Sequence, residues 1–332
     1  MVNAKTRKQT SIQLRAFLVC SAMTTALFCG SVGYSNSERT NSSLNYTSVQ
    51  RSQGRALQRA KPRCPNQAPP PKTLRVIYKR LLQARKANPI VRPPGSITVP
   101  VYFHILTSSN GQEGDVPDYY VSEQIRILNK AFSGNNGLGV PTPFTFDLRE
   151  IERVPNTAWF NMTFREVPTP EEQDAKRERN KGDDATLNIY TARFLEAPPY
   201  GWARFPWELA LKVDGIVVGY KTLPQGGLLH FDEGDTVVHE VGHWLGLFHT
   251  YENGCNSPGD LITDTPAEIG PKEGCPDANT CPTIPGYDMK ENFMNSTYDS
   301  CMYKFTLDQA GVMDANFRDC RGPNHKDCTP PM

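Results

Sequence analysis

One short stretch, Thr236–His249, constrains the fold and the chemistry of this chain more than any other. It reads TVVHEVGHWLGLFH and holds three of the six histidines in the sequence. Because His239 and His243 are four residues apart, a helix projects both imidazoles from one face, where they can bind a single zinc ion. Gly246 permits a positive φ, which ends the helix and brings His249 round as a third ligand. The stretch therefore predicts a helix, a sharp turn and a three-histidine zinc site.

Three neutral nitrogen ligands are typical of a catalytic zinc site, since tetrahedral zinc then keeps a fourth position open. Glu240 follows the first histidine, and a carboxylate there can take a proton from an attacking water and deliver it to a leaving amine. The full pattern HExxHxxGxxH fixes five residues, so a random match has odds on the order of 10⁻⁴ in a chain of this length. We therefore reject two other interpretations of this motif: three histidines that only pack in the core or face solvent, and a purely structural zinc site.

The charges are unevenly distributed, although 36 Lys+Arg and 35 Asp+Glu give the 332 residues a net charge of only +1. Residues 1–33 carry a net charge of +4, residues 34–95 of +12, and residues 96–332 of −15. The near-neutral total argues against nucleic acid as a partner. A hydrophobic content of 38% argues against a disordered chain. The uneven distribution predicts segments with separate roles.

Residues 1–33 have the layout of a secretory signal peptide. Basic residues precede an apolar run from Ala16 to Val32, and Ser31 and Gly33 offer a small-x-small cleavage site. An uncleaved anchor is disfavoured because this run is at the lower limit of the length that spans a bilayer. We therefore expect a secreted, extracellular protein with no stable membrane association after signal cleavage. Seven cysteines then remain, an odd number that leaves at least one unpaired.

Residues 34–95 are predicted to be a basic pro-segment or linker. Their first part is rich in Ser, Asn, Gln and Arg, a composition typical of linkers. Further on, Leu74, Ile77 and Leu81 recur at helical spacing and predict a short basic amphipathic helix. Dibasic pairs within this helix, Lys79-Arg80 and Arg85-Lys86, are candidate activation sites.

Residues 96–322 have the pattern of a globular domain, and residues 323–332 are predicted to be a C-terminal tail. Apolar residues alternate through 97–105, as in a half-buried strand, and further strand patterns follow at 144–151, 186–192 and 215–223. Ser122 is predicted to cap a helix after the first strand. This order predicts an α+β fold with a mostly parallel sheet.

Five separated blocks between residues 95 and 318 read VPVYFHIL, TLNIYTA, HEVGHWLGLFHTY, GDLITDTPAE and NFMNSTYDSCMYKFT. Together they resemble the metzincin zinc metalloproteases, and among these the pappalysin (ulilysin-like) family, which includes many secreted fungal enzymes. The resemblance implies a two-lobed, zincin-like endopeptidase acting on proteins or peptides. Its upper lobe would hold a twisted, mostly parallel sheet and two long helices. Its lower lobe would be irregular, disulfide-stapled and closed by a C-terminal helix.

The resemblance also implies a methionine turn beneath the zinc, here Met294 in NFMNS. Family members commonly read Met-x-Tyr at this turn, with the tyrosine near the metal, but this chain has Ser296. Tyr298 lies two residues further on and would substitute only if the loop shifted. A tyrosine hydroxyl would stabilise developing negative charge, so its loss would weaken catalysis. Because the ligands and the base are intact, we still predict an active enzyme.

The cysteine order after the histidine motif resembles that of the family, which implies the disulfides Cys255–Cys281 and Cys275–Cys301. Each would close a loop of about 26 residues and contribute on the order of 3 kcal/mol by the chain-entropy model. We expect Cys320 and Cys328 to pair with each other, although the cysteine count alone allows other connectivities.

A calcium site in GDLITDTPAE is also implied by the resemblance, with Asp260, Asp264 and Thr265 as its ligands. Hard oxygen ligands at such close spacing suit calcium. Turn chemistry alone would equally explain an Asp-Thr-Pro stretch. The expected cofactors are therefore one catalytic zinc ion and, as an open alternative, calcium.

Cys64 in KPRCPNQ is the candidate for a cysteine switch, in which a pro-segment thiolate takes the fourth zinc position and keeps the enzyme latent. Metzincin pro-segments often use Arg-Cys-Gly for this purpose, whereas here Pro65 follows Arg63-Cys64. A soft thiolate suits zinc, and a basic segment should dock on an acidic domain. The alternative is a disulfide from Cys64 to Cys320 or Cys328, and we favour the switch.

Two functions from other classes stay open beside a zinc endopeptidase. A catalytically weakened metzincin-fold protein that acts by binding is supported only by Ser296, and the intact Glu240 argues against it. A zinc amidohydrolase of small molecules would need a closed pocket. An open cleft instead suits an extended chain paired to an edge strand.

Overall fold

The computed structural model describes residues 62–87, 92–194, 198–211, 213–323 and Cys328. The predicted signal peptide, the first part of the predicted pro-segment and most of the predicted tail lie outside the described residues. Within the described part, no helix is long and apolar enough to cross a membrane.

A five-stranded sheet organises the domain, in the order β2-β1-β3-β5-β4. All neighbouring strands run parallel except β4, which pairs antiparallel with β5 at one edge. The predicted mostly parallel sheet is therefore confirmed. The strands are β1 (Ile97–Thr107), β2 (Phe144–Pro155), β3 (Leu187–Ala192), β4 (Gly201–Ala203) and β5 (Ile216–Gly219).

Six α-helices accompany the sheet in the described residues. They are α1 (Pro71–Ala87), α2 (Asp118–Phe132), α3 (Thr157–Phe160), α4 (Pro170–Arg179), α5 (Asp235–Trp244) and α6 (Leu307–Asn316). Helix α5 packs against α2, β4 and β5, and every one of its residues is buried. The sheet edge and the histidine motif therefore lie side by side.

The predicted cap at Ser122 is wrong. Helix α2 begins at Asp118, directly after Pro117 in extended backbone, and the Ser122 hydroxyl donates to the Asp118 carbonyl inside the helix. A carboxylate in the first turn stabilises the positive end of the helix dipole, which makes Asp118 a suitable first residue.

Helix α1 belongs to the same core as the domain that follows it. Leu74, Ile77 and Leu81 are at most 7% exposed and pack into the main hydrophobic cluster. The helix lies against α6, where the Arg80 guanidinium donates to the Asn316 side chain at 3.1 Å. The amphipathic pattern therefore predicted this helix and its buried face correctly.

Residues 250–305 form neither an α-helix nor a β-strand; their regular backbone structure is a 3-10 turn at Asp299–Cys301 and an isolated bridge between Asn292 and Lys304. Disulfides stabilise this irregular part, because little backbone pairing does so. Helix α6 then begins with a capping box formed by Thr306 and Gln309. The structure contains the disulfides Cys255–Cys281, Cys275–Cys301 and Cys320–Cys328.

Candidate metal centre

The backbone turn after α5 is what brings the third histidine to the first two. The helix ends at Trp244, and Gly246 has φ +91°. A Cβ at Gly246 would collide with the side-chain amide of Asn316, which donates to the Leu245 carbonyl at 3.1 Å. Glycine is therefore required both for the backbone conformation and for the space, as the motif predicted.

Three imidazole nitrogens converge at one point in the interior. The Nε2 atom of His243 lies 3.1 Å from Nε2 of His239 and 3.1 Å from Nε2 of His249. All three residues are at most 3% exposed. The predicted ligand set is therefore assembled by the fold.

The hydrogen bonds of the outer ring nitrogens decide the tautomers. Nδ1 of His239 lies 2.7 Å from the Phe293 carbonyl oxygen, and Nδ1 of His243 lies 2.7 Å from the Leu247 carbonyl oxygen. A carbonyl only accepts, so each Nδ1 carries the proton and each Nε2 presents a lone pair.

Electrostatics favour a cation between these nitrogens. Burial lowers the pKa of His243 to about 4 and lowers the pKa values of His239 and His249 well below their usual range. Neutral lone pairs that face each other at 3.1 Å repel unless a positive ion lies between them. The donor set therefore fits a zinc ion.

Glu240 presents a free carboxylate oxygen beside the histidines. The residue is fully buried, and its Oε1 has no hydrogen-bond partner among the described residues. A Cβ at Gly201 would come 2.9 Å from this oxygen, so the glycine at the start of β4 makes room for it. Burial raises the pKa of Glu240 to about 8, although the neighbouring Cys64 and Arg63 lower it.

Cys64 reaches the same point from the predicted pro-segment. Its sulfur and the ligand nitrogens of the three histidines all lie within 4.8 Å of one another. The thiol is free and buried, and its Sγ lies 3.4 Å from Oε2 of Glu240. Cys320 pairs with Cys328 instead, so the structure does not contain the alternative disulfide to Cys64.

The residues around Cys64 lie along the edge strand β4. The Tyr200 amide donates to the Arg63 carbonyl at 2.6 Å. The Asn66 side-chain amide donates to the Ala203 carbonyl at 2.9 Å and accepts from the Ala203 amide at 3.1 Å. The outer edge of β4 therefore has backbone groups that are not used within the sheet and that bind the predicted pro-segment here.

Arg63 fills a buried acidic pocket next to Cys64. Its guanidinium forms an ion pair with Asp299, and the two side chains are 1% and 0% exposed. The guanidinium also lies 5.0 Å from the centre of the Phe231 ring. Asp299 in addition accepts the backbone amide of Glu233 at 3.0 Å, just before α5. Sequence reasoning missed this pocket, because nothing in the pattern links position 63 to position 299.

Met294, the predicted methionine of the turn, is fully buried and lies against the motif helix. A Cβ at Gly242 would collide with its sulfur. Ser296 lies close by, and its Oγ is 2.8 Å from the hydroxyl of Tyr251. Tyr298 is turned elsewhere, since its ring stacks on that of His230 at 4.1 Å. Sequence reasoning missed Tyr251, although it lies only two residues after the last histidine of the motif.

Hydrogen bonds join two of the three predicted calcium ligands, Asp260 and Thr265, and hold the third, Asp264, at the start of α6. The Thr265 hydroxyl donates to both carboxylate oxygens of Asp260, at 2.9 and 2.8 Å. Asp264 instead accepts from the Thr306 hydroxyl at 2.6 Å and from the Asp308 amide at 3.0 Å, at the start of α6. Burial raises the pKa of Asp260 to about 7. These contacts serve the turn and the helix cap.

Comparisons with known proteins agree with this geometry. Residues 228–318 match the Peptidase_M43 family, described as pregnancy-associated plasma protein-A. The chain is 35% identical over 255 residues to an extracellular metalloprotease of Colletotrichum graminicola, covering 74% of this chain and 86% of that one. It is 35% identical over 232 residues to extracellular metalloprotease 1 of Coccidioides posadasii, covering 68% of this chain and 78% of that one.

Solved structures show the same fold. A mutant of Tannerella forsythia promirolysin matches with a TM-score of 0.61 and 26% identity, covering 78% of this chain and 94% of that one. Mature mirolysin of the same organism, in complex with a cleaved peptide, matches with a TM-score of 0.55 and 27% identity, covering 70% of this chain and 100% of that one.

Proposed function

This chain belongs to the Peptidase_M43 family, to which its similarity to extracellular metalloproteases also points, and we propose that it is a secreted zinc endopeptidase that hydrolyses peptide bonds in proteins. One observation carries the proposal. Three buried imidazole nitrogens converge with spacings of 3.1 Å, beside a carboxylate oxygen of Glu240 that has no partner in the described part of the chain.

The residues of the site divide the work between them. His239, His243 and His249 hold zinc through Nε2, and the backbone carbonyls behind the first two fix those ring orientations. Bound zinc supplies Lewis-acid activation of a water molecule and of the peptide carbonyl. Glu240 takes the proton of the attacking water and delivers it to the leaving amine. Met294 packs under the helix and keeps the ligands in place.

The edge strand β4 binds the substrate backbone. Tyr200 and Ala203 donate backbone hydrogen bonds to the segment that now crosses the site. A substrate in extended conformation can use the same groups, which is the usual mode of peptide binding at a sheet edge. An open strand edge favours proteins and peptides over the small amides that a closed pocket would take.

The Arg63 pocket predicts the side chain that the enzyme prefers. Arg63, the neighbour of Cys64 in the chain, is held by Asp299 and Phe231. When the pro-segment leaves, the buried carboxylate of Asp299 needs another positive partner. Arginine or lysine next to the cleaved bond should therefore be preferred. Profiling of peptide libraries should show this preference. The ratio of the cleavage rate of an arginine peptide to that of the matched norleucine peptide should fall at least tenfold in Asp299→Asn. Equal cleavage of both peptides by the wild type would refute it.

Latency follows from Cys64. In the zymogen Cys64 would hold the zinc as a thiolate together with the three histidines, and its presence there would exclude water from the site. The ion pair of Arg63 and the Asn66 contacts hold it there. Cys64→Ala should raise the basal activity of the zymogen. Unchanged activity, together with mass mapping that places Cys64 in a disulfide, would refute the latch.

Processing removes two segments before the enzyme works. Signal cleavage near residue 33 releases the protein to the extracellular space, and residues 34–95 act as the pro-segment of a catalytic domain at 96–322. The likeness to promirolysin covers 78% of this chain and that to mature mirolysin 70%, which supports a pro-segment. Lys79-Arg80 lies within α1 and Arg85-Lys86 in its last turn, so cleavage at the second pair requires less unfolding.

We also propose that calcium binds in the loop that contains Asp260, Asp264 and Thr265. Carboxylate oxygens suit calcium, but binding there must replace the hydrogen bonds of Asp264 to α6. Titration calorimetry with calcium chloride tests it. Heat that disappears in Asp260→Asn supports a site in this loop, and no heat at millimolar calcium refutes it.

Activity of the mature form tests the function itself. The purified protein without its pro-segment should cleave an unstructured protein, lose activity with 1,10-phenanthroline, and regain it with added zinc. Binding of peptides without cleavage would favour a binding protein. Hydrolysis of small amides alone would favour an amidohydrolase.

A further inference from the structure

Tyr251 has a side chain that the roles above leave unexplained. It lies two residues after the third histidine, and its ring stacks on that of His249 with centroids 4.7 Å apart and planes 8° apart. Gly270 lies so close to the ring that a Cβ there would come 2.5 Å from its Cγ. The phenol is therefore held in one position. It lines a cavity of about 330 Å³ together with His249 and Cys64.

Among the described residues, the hydroxyl of Tyr251 has one hydrogen-bond partner. It lies 2.8 Å from Oγ of Ser296, and within the described residues neither hydroxyl forms another hydrogen bond. Ser296 is only 4% exposed and occupies the turn position where the family commonly has a tyrosine. Two hydroxyls carry two protons, and the bond between them uses one. The second proton is available for a ligand in the cavity.

We propose that Tyr251 is a catalytic residue whose hydroxyl donates a hydrogen bond to the carbonyl oxygen of the scissile peptide bond, and that Ser296 positions it. The inference rests on the proposed function and deepens it. A donor aimed at this oxygen stabilises the negative charge that grows there during attack. No proton is transferred, because the phenol keeps its own. The segment after His249 thus supplies the phenol that the methionine turn lacks.

The first test removes only the hydroxyl. In the mature enzyme, Tyr251→Phe keeps the ring stack and should lower kcat about 100-fold, with KM within twofold and zinc content unchanged. A phosphinic peptide, which mimics the tetrahedral state, should bind about 100-fold more weakly, whereas the cleaved product peptide should bind as before. Tyr287→Phe is the matched control, since that ring is 76% exposed on the surface, and it should change nothing.

The second test moves the hydroxyl. Tyr251→Phe combined with Ser296→Tyr places a phenol on the turn and should regain at least tenfold of the lost kcat. Ser296→Ala should lower kcat with KM unchanged, because it loosens the donor without removing it. The proposal is overturned if Tyr251→Phe keeps kcat within threefold, or if it weakens both ligands equally. If the wild type cleaves no peptide, the proposed function fails as well, whereas an active wild type with an unaffected Tyr251→Phe refutes only the role of Tyr251.

Discussion

Replacing Arg63 with alanine should loosen the pro-segment while leaving the metal ligands untouched. The guanidinium is buried with Asp299 in the pocket beside the metal centre, and it also contacts Phe231. Alanine removes both contacts. Cys64 itself is unchanged, so its thiol reports how often the segment leaves the site.

The magnitude follows from burial. Removing one partner of a buried ion pair costs about 3–5 kcal/mol, chiefly because the other charge stays unpaired. Asp299 keeps hydrogen bonds from the backbone amides of Glu233 at 3.0 Å and Asp235 at 3.4 Å, so we expect the lower end, about 3 kcal/mol. A free-energy change of 1.4 kcal/mol is a factor of ten in an equilibrium constant. The fraction of zymogen molecules whose pro-segment has left the site should therefore rise roughly 100-fold.

The assay is the rate at which iodoacetamide alkylates Cys64 in the intact zymogen, followed by mass spectrometry. The rate should rise roughly 100-fold in Arg63→Ala, and the basal activity should rise with it. Arg149→Ala is the control, because that side chain forms an exposed ion pair with Asp147, far from the Arg63 pocket in sequence and on β2, and should leave the rate within about twofold. Equal alkylation rates in Arg63→Ala and the wild type would show that the ion pair does not hold the segment.

Three further predictions concern the stability of the folded domain and the methionine turn at Met294. Glu172 is buried, which raises its pKa, but its lysine and arginine partners outweigh this and lower it to about 2. The resulting stabilisation, about 3 kcal/mol, is present above pH 4.5 and is lost as the pH falls towards 2, so the stability difference between Glu172→Gln and the wild type in urea unfolding should shrink over that range. Replacing both Cys255 and Cys281 with serine should lower the unfolding free energy by about 3 kcal/mol, and an unchanged urea midpoint would contradict this. Gly242→Ala should push the Met294 sulfur aside and weaken zinc binding at least tenfold in chelator competition, and unchanged affinity would show that the turn does not support the ligands.

Local spacing determined how much of the site was predictable. The helix, the positive φ at Gly246 and the return of His249 all follow from fourteen consecutive residues, because a helix and one glycine define their geometry. The parallel sheet and α1 were predicted for the same reason, since apolar periodicity is a local signal.

Contacts between distant segments were not predictable from the pattern. Arg63 meets Asp299, and Tyr251 meets Ser296, across 236 and 45 positions of the chain. Such pairs depend on how loops without regular structure pack, and a single sequence carries no periodic signal for them. The predicted cap at Ser122 failed differently, because Pro117 and Asp118 offered a competing helix start four residues earlier.

Replacing Glu240 with alanine in the mature enzyme separates zinc binding from peptide hydrolysis. Zinc content by mass spectrometry and the rate of peptide cleavage are measured on the same sample. We expect about one zinc ion per chain in both proteins, because the three histidines remain, and a rate lowered 10²–10⁴-fold by loss of the general base. Cleavage by Glu240→Ala at the wild-type rate, with zinc bound, would contradict this expectation.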